Sequence, residues 1–268
     1  MRKFWAFLIL YFIFVDTFSQ NNLNELTVDR PGIADTPFTV PKGIYQFEVG
    51  FDYFNRSNGI FYNMPTALFR TGITKRIEAR IALRQILDHT DGSSFNGISS
   101  ISAGFKSHVI KQNRWIPETD VMLNLIVPIV YSSLSKTLGY EALILFQNDF
   151  YPNTAINYNV GYLWDYNLNK PMFTASFCYN YLPTQRLGLF IEYFDFVPNS
   201  WPGEHGFDGG FTYLLAPKFQ VDLSCGVSRQ EEKNNFFVST GFSFRLGKNR
   251  PQVHNPTGRS LGTGDVRL

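Results

Sequence analysis

The feature that most constrains this chain is a period of two, repeated with little interruption from residue 43 to residue 247. In "IYQFEVGFDYF", Tyr45, Phe47, Val49, Phe51 and Tyr53 fall on one face, and Gln46, Glu48, Gly50 and Asp52 on the other. "RIEARIALR" sets Ile77, Ala79, Ile81 and Leu83 against Glu78, Arg80, Ala82 and Arg84. "AINYNVGYLWD" repeats the pattern, with Asn157, Asn159, Gly161 and Asp165 on its polar side. Such alternation puts successive side chains on opposite faces of a strand, one apolar and one polar. No segment after the first twenty residues carries a convincing 3.6-residue period. We count about twelve such segments, each about ten residues long, the length of a tilted membrane-crossing strand. Short connections such as "TKR", "LPTQ" and "LAPK" alternate with longer ones around 54–65, 88–96, 130–139, 197–204 and 229–234. An even strand count with short turns at one end and longer loops at the other predicts an all-β fold, a transmembrane antiparallel β-barrel of about twelve strands.

A soluble β-sandwich would also alternate, but its polar faces usually carry more Lys and Glu. Here the polar faces hold Gly, Ser, Asn and a few charges, while the opposite faces carry aromatics almost throughout. A soluble protein rarely exposes that much apolar surface. A lipocalin-like barrel keeps its apolar residues inside and has fewer strands. Aromatics near strand ends, such as Tyr45 and Tyr53, or Tyr162 and Trp164, suit girdles at two lipid–water interfaces.

The flanks read differently. Arg2 and Lys3 precede the apolar run "FWAFLILYFIFV", and Thr17 and Ser19 supply small residues for a cleavage site. Residues 1–19 are therefore expected to be a cleaved signal peptide. Residues 20–42 form a Pro-rich leader, 43–247 the barrel, and 248–268 a polar Gly- and Pro-containing tail that reads as flexible. Export places the barrel in the outer membrane of a Gram-negative bacterium. The expected partners are outer-membrane lipid, the barrel-assembly machinery and a small solute whose identity is not legible. A net charge of +2 with no basic cluster gives no argument for nucleic acid. The two cysteines, Cys178 and Cys225, fall by parity on non-neighbouring strands and opposite faces, which argues against a disulfide.

The leader contains Asp29-Arg30-Pro31, then Thr36-Pro37-Phe38 and Val40-Pro41-Lys42-Gly43, and runs into a strand with Glu48 and Gly50. This opening resembles the exported bacterial family called "Putative MetA-pathway of phenol degradation", whose members are often labelled transporters. The resemblance implies an outer-membrane β-barrel with a transport role; it carries no catalytic residues to transfer. The rest of the chain agrees with the family as a barrel pattern.

Parity assigns the lumen-facing charges. Arg70, Arg80, Arg84 and Lys106 come from the second to fourth strands and Arg245 from the last. The acids on that arc are Glu48, Asp52 and Glu78. The opposite arc offers Asp120, Asp149, Asp165, Glu192, Asp208 and Asp222 with almost no bases. A lumen divided in this way can orient polar solutes in a pore, or it can be a salt-bridged filling; the sequence leaves both open. A rigid leader could tuck into the barrel mouth as a plug, with Asp29 and Arg30 meeting lumen charges, or it could pack elsewhere. His108 faces inward beside Lys106, and no Ser–His–acid triad is legible. No metal-ligand spacing, P-loop or dinucleotide fingerprint occurs, so no cofactor is expected. The expected function is a narrow channel for small solutes, with a non-conducting structural or interaction barrel as the alternative, and no enzymatic activity.

Overall fold

The computed structural model describes residues 26–56, 59–90, 94–129, 137–165, 170–199 and 203–247. The expected signal peptide, the first residues of the leader and the tail lie outside the described residues. Twelve strands follow one another: β1 (Tyr45–Arg56), β2 (Gly59–Gly72), β3 (Ile77–Thr90), β4 (Phe95–Ile110), β5 (Glu118–Pro128) and β6 (Gly139–Tyr151), then β7 (Thr154–Asp165), β8 (Lys170–Tyr181), β9 (Leu187–Pro198), β10 (Glu204–Ala216), β11 (Phe219–Gln230) and β12 (Lys233–Leu246). Each pairs antiparallel with its neighbours in sequence, and β1 pairs with β12 from Tyr45↔Leu246 to Asn55↔Phe236, which closes the barrel. Closure leaves no sheet edge for lipid to solvate, the condition for spanning a bilayer with strands.

The two faces are sorted as the alternation requires, with the order of a soluble protein inverted. Ile81, Phe105, Phe177, Ile191 and Phe207 lie on the outside and are exposed. Inside, the large side chains that are fully buried include Arg70, Lys106, Gln46, Glu48, Glu78, Glu192 and Asp120. Apolar burial inside is sparser: Met122, Leu143 and Leu145 form a small cluster, and Phe194, Phe237 and Leu214 are buried apart from it. Cys178 is buried on β8, Cys225 exposed on β11, and both are free thiols.

One stretch corrects the sequence reading. Residues 54–65 were expected to form a long loop, but β1 continues to Arg56 and β2 begins at Gly59. The cause is an irregularity in β2 between Asn63 and Thr66, where Met64 and Pro65 together oppose Phe51. An extra residue moves the inward parity from Asn63 to Thr66, so the alternation breaks and a proline in a strand reads as a loop. The connection at 229–234 likewise shrinks to the two residues between Gln230 and Lys233, and the longest connection runs from 129 to 138.

Candidate functional site: the leader inside the lumen

Three prolines, Pro31, Pro37 and Pro41, keep the leader out of regular structure, and it enters the barrel as an irregular strand of polar hooks. Its hooks are met by wall residues that the pleat alone aims inward. Asp29 sits at the basic wall. Its carboxylate accepts from Lys106 Nζ at 2.8 Å and from Arg80, and lies 3.1 Å from Arg70 Nη1. The Asp29 amide donates to Glu48 Oε2 at 3.0 Å, and its Oδ1 accepts from the Thr36 amide and hydroxyl. Burial opposes the charge of Asp29, but Arg70, Lys106 and Arg80 outweigh it and hold the carboxyl well below the usual carboxylate range.

Around Asp29 the wall completes itself. Arg70 donates through Nε to Glu78 Oε1 at 2.8 Å, through Nη1 to Glu48 Oε1 at 2.8 Å and through Nη2 to the Phe38 carbonyl at 2.9 Å. Glu78 also accepts the Val40 amide at 2.6 Å. Arg245 donates to Gln46 Oε1 at 2.8 Å across the β1–β12 seam. Such a desolvated network holds because its donors find acceptors, carboxylates for the most part and neutral oxygens such as Gln46 Oε1 and the Phe38 carbonyl for the rest.

Arg30 reaches the other way. Its Nη2 donates to Asp222 Oδ1 at 3.2 Å and to Ser239 Oγ at 2.8 Å, and Nη1 lies 3.8 Å from Asp52. The guanidinium rests in a notch made by Gly50 and Gly241, which face each other across β1 and β12. A Cβ at Gly50 would meet Arg30 Nη1 at 1.8 Å, and one at Gly241 would meet Nε at 2.6 Å. Only glycine at both positions leaves room for it. Further on, Glu192 accepts the Ile33 amide at 2.7 Å and the Ala34 amide at 2.6 Å. Glu192 faces Asp208 in the β9–β10 register, so two buried carboxyls stand side by side there. Asp35 lies 3.4 Å from Arg80, and burial together with the charge of Asp29 pushes its carboxyl up to about 7.

The remaining wall residues take separate places. His108 Nδ1 lies 2.9 Å from Asp120 Oδ1 and 3.5 Å from Glu118, at the end of the barrel that holds the leader entrance. Asp149 accepts from Gln147 at 2.8 Å. Arg84 is exposed to the lumen and touches no leader hook, though it lines cavities there with Arg30 and Asp35. Asp165 pairs in register with Lys170, and its side chain lies outside the described residues. Glu118, Glu141 and Gln46 share the inward parity of the residues singled out from the sequence, and parity alone could have found them. Asp35, Thr36 and the paired glycines carry no such signal.

The leader divides the interior without filling it. Toward the chain-terminal mouth, a cavity of about 220 Å³ lies between the leader and β6–β11, lined by Ala155, Asn157, Asn180, Phe190, Leu214 and Gln220. Toward the opposite mouth, cavities of about 290 and 160 Å³ are lined by Arg84, Ser102 and Ile126, the larger also by Asn124 and Glu141.

A closed twelve-stranded barrel with an apolar belt, a polar interior and no free sheet edge defines an outer-membrane β-barrel protein. The sequence matches the family described as "Putative MetA-pathway of phenol degradation" over residues 28–246, leader and barrel together, and the chain belongs to that family. No curated protein matches it. Among solved structures it is similar to the NanC porin (TM-score 0.56, 10% identity, covering 74% of this chain and 100% of the porin). It is also similar to an outer-membrane channel from Pseudomonas putida F1 (TM-score 0.55, 9% identity, 81% and 99% covered). A KdgM porin in complex with disordered oligogalacturonate gives a TM-score of 0.52 at 7% identity, with 75% and 99% covered. At these identities the likeness establishes the shared barrel fold.

Proposed function

We propose that the protein is a narrow outer-membrane channel for small solutes, occluded by its own leader. The observation that carries this reading is the mode of attachment. Residues 29–40 are fixed to the wall by ion pairs and amide–carboxylate bonds, while water-accessible cavities remain on both sides of them. Polar attachment of this kind can be exchanged for water when the segment leaves, whereas a packed apolar core could not be opened without unfolding. The porins and channels with which the chain shares its fold support the same reading by analogy only. With the leader withdrawn, bases on β2–β4 and acids on β9–β11 would face each other across an open lumen, an arrangement that orients polar solutes. No chemistry is assigned to the wall, and a role other than catalysis is part of the reading.

The test is single-channel current through the refolded mature protein in a planar bilayer, compared with a chain lacking residues 20–41. A small or intermittent current that becomes large and steady on deletion supports an occluded channel. Silence in both forms would leave a non-conducting barrel.

A further inference from the structure

Beyond the lumen, the rim at the chain-terminal end has a charge pattern of its own. The five strand connections on this rim, 73–76, 111–117, 152–153, 182–186 and 217–218, contain no Asp or Glu. Two of them lie side by side, because β3 and β4 are paired and the His108 amide donates to the Arg76 carbonyl at 2.8 Å. They present Lys75, Arg76 and Arg114, all exposed, with Lys111 beside them. The nearest acids are not paired with Lys75, Arg76 or Arg114. Asp120 and Glu118 are buried on the inner face, where His108 and the Gln112 amide engage them.

The same two turns carry exposed apolar groups: Trp115 at 84%, Ile73 at 54% and Ile116 at 53%. These continue the outward column of Ile77, Val109 and Ile110, so the patch is continuous with the lipid-facing belt. Cations on long stems next to an exposed indole, at the edge of an apolar belt, suit the depth of phospholipid headgroups. In a barrel with an even number of strands this rim is periplasmic, since β1 begins and β12 ends there. We propose that the β2–β3 and β4–β5 turns form a seat for an anionic phospholipid headgroup of the periplasmic leaflet, with Lys75, Arg76 and Arg114 holding the phosphate and Trp115 the glycerol level. The proposal is independent of whether the lumen conducts.

The experiment compares retention of phosphatidylglycerol and phosphatidylcholine by native mass spectrometry of the refolded mature chain, from micelles doped equally with both. The wild type is expected to retain phosphatidylglycerol at least tenfold over phosphatidylcholine, and added salt should cut this preference. Each neutralised cation should lower it about fivefold, so Lys75→Gln/Arg76→Gln/Arg114→Gln should abolish it. Arg229→Gln/Lys233→Gln on the opposite rim should leave it intact. A second readout needs no charge variant: brominated phosphatidylglycerol should quench the Trp115 emission, taken as wild type minus Trp115→Phe, more than brominated phosphatidylcholine does. Equal retention of the two lipids by the wild type, persistence of the preference in the triple variant, or equal quenching would overturn the proposal. Equal retention would point to an acidic soluble partner or to no partner, and persistence to a lipid seat elsewhere on the barrel.

Discussion

Replacing Asp29 by Asn tests the occlusion at its centre. The change keeps the side-chain volume and one acceptor for Thr36, but puts an amide donor where Arg80 and Lys106 donate. Lys106 is fully buried and would keep the Thr36 carbonyl, at 2.9 Å, as its hydrogen-bond acceptor. Arg70 and Arg80 would retain Glu78, and Arg70 also Glu48. Breaking a buried ion pair by removing one partner costs about 3–5 kcal/mol. Here the cost falls on the seated leader, since once the leader leaves, water can reach the freed cations. Seating should therefore weaken by about two to four orders of magnitude while the barrel stays folded. The assay is labelling of Ala34→Cys by a water-soluble maleimide in a Cys178→Ser/Cys225→Ser background, with single-channel current recorded in parallel. Asp29→Asn should speed labelling and raise the open fraction. Asp29→Asn/Lys106→Met should recover part of the loss, because it removes the stranded ammonium as well. Unchanged labelling and current in Asp29→Asn would refute the idea that this carboxylate holds the leader down.

Gly72→Ala attacks the same seat sterically, since its Cβ would lie 2.3 Å from the Val40 carbonyl oxygen. The leader should be displaced with no change of charge, and labelling at residue 34 should rise; a rate equal to the parent's would show that the leader end can shift at no cost. Glu192→Gln replaces an acceptor for two backbone amides with a group that accepts only one. A loss of about 1–3 kcal/mol in seating is expected, seen as faster labelling with an unchanged barrel melting temperature. The Asp35 carboxyl, raised to about 7 when seated and near 3.9 when free, binds a proton on seating. Its contribution is therefore fully present below about pH 4 and is lost as pH rises to about 7, on the order of 2 kcal/mol once lumen water is allowed for, since the side chain is 18% exposed. Labelling should be faster at pH 8 than at pH 5, and Asp35→Asn should flatten that dependence; a slope that survives the substitution would show that Asp35 does not carry it.

What the sequence made legible follows from the reach of each signal. A period of two encodes the pleat directly, so the strands and the inward position of Glu48, Arg70, Glu78, Lys106 and Glu192 could be read residue by residue. The signal failed where the pleat itself was interrupted, at Met64–Pro65, because one extra residue inverts parity for everything beyond it. It was silent on the leader's contacts, since Asp29 meets Arg80 and Lys106 at separations of 51 and 77 residues. The Gly50–Gly241 notch exists only once the barrel has closed in one register.

Yet the wall charges already contain a constraint on the leader. On the basic arc, Arg70, Arg80, Lys106 and Arg245 are buried beside two wall acids, Glu48 and Glu78, so buried cations outnumber buried wall acids. On the seam side, Asp52 and Asp222 face inward with no wall base in contact among the described residues. Burying either surplus uncompensated is expensive, so a lumen of this composition calls for an added anion on one side and an added cation on the other. Asp29 and Arg30 are adjacent in sequence and opposite in charge, and consecutive side chains of an extended segment point in opposite directions. One dipeptide lying across the lumen therefore satisfies both walls at once, and Asp29→Asn and Arg30→Ala should unseat the leader from opposite sides.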